Sequence, residues 1–309
     1  MKRLLLTLFV SFGMLIALAV HAEYQPKAEV VAENVYAIVG PLGQRSVEND
    51  GLNANFGFIV TPAGVILIDS GASRLGAEKI SRAILTVTDK PVRWVINTGS
   101  QDHRWLGNDY FASQGAEIIA MARTAATQAQ YGEQHMQGLE RFLGARLAGT
   151  RPLPAPRTLA GDEATLELGG ETLMLHYTDA HFPGDAWVWL PGHNVVFTGD
   201  LVYVDRIIGV MPWSSVKNGQ QAFRALEALN PKIIVPGHGR VCDLAQAKRE
   251  TGDYYDFLAD KVGAAARDME PMSEVLDRYA DLPAFRQLEN YDSLHRANMN
   301  RAFTEFEAN

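Results

Sequence analysis

A four-layer αββα sandwich, extended by helices at its C-terminus, is the α/β fold that this sequence predicts. Three observations lead there. Short apolar β-type runs, separated by Gly, Pro and Asn turns, fill two stretches, one before residue 100 and one over residues 164–198. Each stretch hands over to segments with helical spacing. From Asp243 onward the pattern is mainly helical. Two β-to-α halves pack as two sheets with helices outside, although a generic α/β fold fits the pattern nearly as well.

The elements follow in order. Val35–Gly40, Phe56–Val60 and Val65–Asp69 read as β-runs, the last two joined by the turn Thr61-Pro-Ala-Gly64. Ser73–Leu85 reads as a helix with Leu75, Ile80, Ala83 and Ile84 along one face. Val92–Asn97 and Glu117–Met121 are strands, a short helix lies over Asp109–Ser113, and an alanine-rich helix runs to about Met136. Gly149–Arg157 holds three prolines and is a connector. Ala164–Leu168, Glu171–Tyr177, Ala186–Leu190 and Val195–Thr198 form the second β-stretch, before a helix at Gln220–Leu229 and a buried strand at Lys232–Val235.

The first residues have the layout of a secretory signal peptide. Lys2 and Arg3 precede an apolar run from Leu4 to Val20, and Val20-His21-Ala22 places small residues where a signal peptidase cuts. Cleavage is expected after Ala22, giving a periplasmic or secreted protein without stable membrane insertion. The alternative is a retained anchor, for which a run of about 17 residues is short. The expected organisation is a signal peptide (1–22), one α/β domain (23–242) and a helical extension packed on the same domain (243–309). A hydrophobic content of 47% with 21% charged residues is enough for a large core. The net charge is −8, and −10 without Lys2 and Arg3, which argues against nucleic acid or anionic membranes as partners; the expected partner is a small-molecule substrate. Cys242 is the single cysteine, so no intramolecular disulfide forms; it reads as a small buried residue, or as a ligand because of its neighbours.

Three segments place His or Asp just beyond an apolar strand, at a glycine turn: Asp179-Ala-His181-Phe-Pro-Gly-Asp185, Phe197-Thr-Gly-Asp200 and Val235-Pro-Gly-His238-Gly. Strand ends are where α/β proteins gather sites from distant parts of the chain. Imidazole and carboxylate suit zinc, iron or manganese. Singly, each residue is as readily a turn or a cap; together, and in this order, they point to a metal site. His135, His176, His193 and His295 read as structural, and the loop Pro41–Asn53 is a candidate substrate loop.

These segments resemble the metallo-β-lactamase superfamily. Leu67-Ile-Asp-Ser-Gly71 is similar to its apolar-Asp-Thr/Ser-Gly signature, His181-Phe-Pro-Gly-Asp185 to its G-H-T-P-G-D/S turn, Phe197-Thr-Gly-Asp200 to F-x-G-D, and Pro236-Gly-His-Gly239 to the closing P-G-H-G. The resemblance covers roughly residues 35–240. It implies that His181 completes a first metal site, that Asp200 bridges two metals, and that His238 completes the second.

The motif N-T-H-x-H-x-D-H is altered. The chain reads Asn97-Thr-Gly-Ser-Gln-Asp-His-Arg-Trp-Leu-Gly-Asn108. With a one-residue gap, Asp102 and His103 form the D-H pair and join Asp200 and His238, with His181 as a proton carrier or further ligand. Without a gap, Gly99 and Gln101 replace two histidines, His103 takes the Asp place and Arg104 the last His place. Arg104 would then oppose a second metal or occupy its electrostatic place. Either way the resemblance implies one divalent ion per chain, zinc first and iron or manganese next. The implied ligands are drawn from Asp102, His103, His181, Asp200 and His238, with Asp200 and His181 as catalytic groups. The implied activity is hydrolysis of a small amide, ester, thioester or lactone. A binding protein on an altered enzyme fold and a one-iron, sulfur-handling oxygenase are the alternatives.

Overall fold

The computed structural model describes residues 24–308, so the expected signal segment lies outside the described residues. Among the described residues no helix is long and apolar enough to cross a membrane. The first sheet holds β1 (Ala28–Ala32), β2 (Val35–Ile38), β3 (Phe56–Thr61), β4 (Gly64–Ile68), β5 (Val92–Ile96), β6 (Glu117–Met121) and β7 (Arg157–Leu159) in that order. Pairing is antiparallel from β1 to β4 and parallel from β4 to β7. The second sheet has the order β12-β11-β10-β9-β8, formed by β8 (Glu163–Leu168), β9 (Glu171–Tyr177), β10 (Ala186–Leu190), β11 (Val195–Phe197) and β12 (Ile233–Val235). Only its β11–β12 pair is parallel.

Side chains alternate across each strand, so every strand feeds two cores. Ile66, Ile68 and Ile96 of the first sheet meet Val188, Leu190 and Phe197 of the second between the sheets. Val65, Leu67 and Val95 point the other way, toward α1 (Arg74–Leu85), α3 (Asn108–Ser113) and α4 (Ala122–Leu143). Trp187 and Trp189 of β10 face outward onto α5 (Val216–Leu229) and the C-terminal helices. Three cores between four layers are the αββα sandwich.

Several boundaries differ from expectation for local reasons. Ser73 caps α1 by accepting from Gly76 N at 3.0 Å, so it stands just outside the helix. Helix α4 continues to Leu143 because Leu139 and Leu143 are buried with Trp105, Leu106 and Leu147. Helix α5 starts at Val216, capped by Ser215. The edge strands β1 and β7 and the one-turn helix α2 (Asp102–Trp105) are additions to the sequence reading.

After β12, α6 (Leu244–Ala247), α7 (Asp253–Phe257) and α8 (Gly263–Arg267) run on through two π-helical turns. They are followed by α9 (Met272–Arg278) and α10 (Tyr291–Glu307). Their apolar faces share one cluster with β10, β11 and α5, reaching from Ala180 to Phe303. Cys242 belongs to that cluster, pairing its backbone with Ile234. Burial pushes its thiol up to about 12. A thiol-specific chromogenic reagent at pH 8 should therefore leave the folded protein unmodified and find one thiol per chain in guanidinium. Prompt reaction of the folded protein would contradict this packing.

Candidate metal centre

The site assembles where β4, β5, β9, β11 and β12 end, all at one end of the sandwich. Directly after β4, Asp69 adopts a left-handed backbone (φ 63°). Its carboxylate accepts from Thr98 N (2.7 Å) and Thr98 Oγ1 (2.6 Å), which fixes the turn after β5. That turn leads into α2, where three consecutive side chains leave in different directions.

His103 presents Nε2 to Asp200 Oδ2 at 3.0 Å and keeps Nδ1 beside Asp102 Oδ1 at 3.2 Å. His238, after β12, places Nε2 3.4 Å from Asp200 Oδ1, while its Nδ1 meets Asn53 O at 2.9 Å. His103, Asp200 and His238 are all buried, and their ligand atoms lie within 4.8 Å of one another. The Tyr203 hydroxyl donates to Asp200 Oδ1 at 3.2 Å.

Arg104 supplies the counter-charge. Its Nε and one terminal nitrogen donate to the two oxygens of Asp200 (3.1 and 2.6 Å). The other terminal nitrogen donates to Asp69 Oδ2 (3.1 Å) and Asn55 O (2.9 Å), and a further bond reaches Gly237 O (3.3 Å). All five N–H groups of a guanidinium are thereby used. Burial pushes Asp200 up, but Arg104 and His103 outweigh it and hold the carboxyl well below its usual range. Gly237 must be glycine, since a Cβ there would lie 2.3 Å from Gly199 O and 2.8 Å from Arg104.

Two of the expected ligands stand apart from this trio. Asp102 forms an ion pair with Arg45 of the 41–53 loop and accepts from His103 N at 2.7 Å. Burial raises its pKa, yet Arg45 and His103 together hold it below the ordinary carboxylate range. A helix turns about 100° per residue, so of this pair His103 faces Asp200 while Asp102 faces Arg45. His181 lines the same pocket but lies outside the trio, and its Nδ1 has no partner. Burial pushes His181 down to about 4 and His238 down to about 3, so both are neutral near pH 7.

The altered motif also has a steric explanation. A Cβ on Gly99 would lie 2.9 Å from Asp185 Oδ1, so the space of a side chain there is taken by Asp185. Asp185 in turn accepts from His181 N (3.1 Å) and Phe182 N (2.6 Å).

The pocket is a cavity of about 80 Å³ bordered by His103, His181, Tyr203, His238, Arg206 and the 41–53 loop. Arg206 is 6% exposed. It donates to Leu42 O (3.1 Å), Gly43 O (3.3 Å) and Gln44 Oε1 (3.5 Å), leaves Nε unpartnered, and makes no ion pair among the described residues. Sequence reading missed Arg206 and Tyr203, and took in Asn53 only as the end of the 41–53 loop. The available signal was a charged pair, Asp205-Arg206, inside the otherwise apolar run 201–211. Cys242 is not part of the ligand group. Of the histidines read as structural, His176 and His193 pair with Glu163 and Glu171, and His295 bonds Tyr254 and Tyr279.

Comparison with known proteins identifies the family and the fold. The sequence model of the Metallo-beta-lactamase superfamily matches residues 49–238. Metallo-beta-lactamase IND-1 of Chryseobacterium indologenes is 23% identical over 209 residues, which span 66% of this chain and 77% of that one. Among solved structures, a metallo-beta-lactamase from Pontibacter korlensis superposes with a TM-score of 0.61 at 20% identity, covering 75% of this chain and 99% of its own. The inverting sec-alkylsulfatase Pisa1 from Pseudomonas sp. gives 0.70 at 14% identity over 90% of this chain, which spans half of that protein. The structural likenesses establish the fold, and with the family match over residues 49–238 they place this chain in the metallo-beta-lactamase superfamily.

Proposed function

We propose that this chain is an exported hydrolase that holds one divalent ion, zinc first and iron or manganese next, and cleaves a small amide, ester, thioester or lactone bearing an anionic group. The observation that carries the reading is the convergence of His103, Asp200 and His238 at the base of the pocket. Both imidazoles turn Nε2 inward and have Nδ1 occupied by an oxygen, a contact that orients the ring of a metal-binding histidine. The donor set therefore fits a cation with an open side toward the cavity.

A divalent ion there would supply Lewis acidity and a water acidified toward neutrality. The chain's own groups do the rest. Asp200 is kept ionised by Arg104 and steadied by Tyr203. Neutral His181, which lines the pocket, is the group that accepts a proton and returns it to the leaving group. Two carboxylates, Asp69 and Asp200, face the one Arg104 guanidinium, which leaves at most one negative charge over and works against a second ion. A buried cation without a counter-ion is costly, so Arg206 calls for an anionic group on the substrate.

Two imidazoles and one carboxylate are also the set used by one-iron oxygen enzymes, a second reading that dioxygen-dependent turnover would reveal. Elemental analysis of protein purified without chelator, beside His238→Ala, tests the main reading. About one zinc, iron or manganese per chain, absent from the variant, is expected. Two metals per chain would overturn the one-ion reading. No metal after incubation with all three would leave a binding protein, whose Asp200 is simply neutralised by Arg104.

A further inference from the structure

We propose that helix α10, which lies beyond the part of the chain matched to the family, is a specificity element of the pocket. Leu294 limits how far the substrate's apolar portion extends, and Asn298 is a positioning residue that holds the pocket wall against His181. This rests on the reading of the cavity as a substrate site.

The wall is the segment 207–215, which carries Gly209 and Met211 into the cavity. It has no helix or strand of its own, and apart from the Met211–Ser214 turn its shape is imposed from outside. Asn298, fully buried, supplies much of that shape: its Oδ1 accepts from Val210 N at 2.7 Å and its Nδ2 donates to Ile208 O at 2.8 Å. One side-chain amide thus satisfies two backbone groups on either side of Gly209. Arg301, one turn further along, bonds Val210 O. Glu305, another turn on, accepts from Ser215 Oγ and Val216 N, both at 2.7 Å. The spacing 298, 301, 305 puts all three on one face of α10.

From the segment the contact continues to the site. Ser214 Oγ donates to His181 O at 2.6 Å, and Ser215 N donates to Ala180 O at 2.8 Å. At the centre, a Cβ placed on Gly209 would lie 3.2 Å from Met211 Cε, 3.9 Å from His181 Cε1 and 3.9 Å from Leu294 Cδ1, so these three side chains surround the glycine. Leu294 is therefore the apolar side chain that α10 places across from the histidine. A substrate tail that passes His181 meets it next.

The test uses straight-chain carboxylates, acetate through octanoate, titrated calorimetrically into the metal-loaded protein. Each methylene that enters the cavity should tighten binding about fourfold. In the parent this gain should stop at a short chain length. In Leu294→Ala it should continue for about two further methylenes, roughly tenfold or more in affinity for the longest acids, and in Leu294→Phe it should stop sooner. Asn298→Ala should flatten the dependence on chain length with metal content unchanged. A merely structural Asn298 would lower the melting temperature and leave the profile where it was. Profiles that coincide in all four proteins, including four that show no binding, overturn the proposal. Because no turnover is needed, a wrong hydrolase reading shows itself separately, as absent hydrolysis of p-nitrophenyl esters beside an intact carboxylate profile.

Discussion

Replacing Arg104 by methionine should lower the stability of the metal-free protein by about 3–5 kcal/mol, read from urea unfolding at pH 7. The guanidinium is 1% exposed, and removing it strands Asp69 and Asp200, both buried, without a cation. Methionine roughly refills the volume, so the loss reports charge rather than a cavity. The Asn55 carbonyl also loses its Arg104 donor, while that of Gly237 keeps the Asn55 N–H. Zinc should restore more stability in the variant than in the parent, because the ion then meets carboxylates that no guanidinium shares. A loss below about 1 kcal/mol would mean that the carboxylates find other partners, and the picture of Arg104 as the site's resident cation would fall.

Acid should weaken the metal-free protein through His238. Burial pushes this imidazole down to about 3, whereas an unfolded histidine titrates near 6.5. A depressed folded pKa means that the unfolded chain binds the proton first. The stabilising contribution is complete above about pH 6.5 and is lost as pH falls toward the folded value. By pH 4 the loss is on the order of 3 kcal/mol. Asp185, pushed up by burial and by Asp200, works in the opposite sense, so a single pH curve mixes the two. The difference between parent and His238→Gln, in chelator, removes the shared groups. That difference should shrink by the stated amount between pH 6.5 and pH 4, and a constant difference would show that His238 is not buried neutral.

Much of the architecture was legible because strand periodicity and turn residues are local signals. Val65–Ile68 and Ala186–Leu190 were visible as apolar runs, although which residue faced which core needed both sheets. His181, Asp200 and His238 were legible as polar residues closing apolar strands. The register at 97–108 was not, because a one-residue gap is invisible until the α2 turn sends Asp102 toward Arg45 and His103 toward Asp200. Long-range partners were also hidden. Arg206 takes its meaning from the carbonyls of Leu42 and Gly43, more than 160 residues earlier, and Leu294 enters the pocket from a helix that composition alone could not place.

The close fit of Asp185 against Gly99 bears on how such a site changes over time. A histidine at position 99 would have to displace the carboxylate whose other oxygen holds the backbone of His181 and Phe182. A single step toward a second ion site would therefore disturb the first before offering anything in return, and position 101 would need its own histidine as well. Adaptation is freer at the mouth and along α10, where side chains can vary without touching the ligands. New chemistry on this scaffold is more accessible through the substrates it admits than through the number of ions it holds.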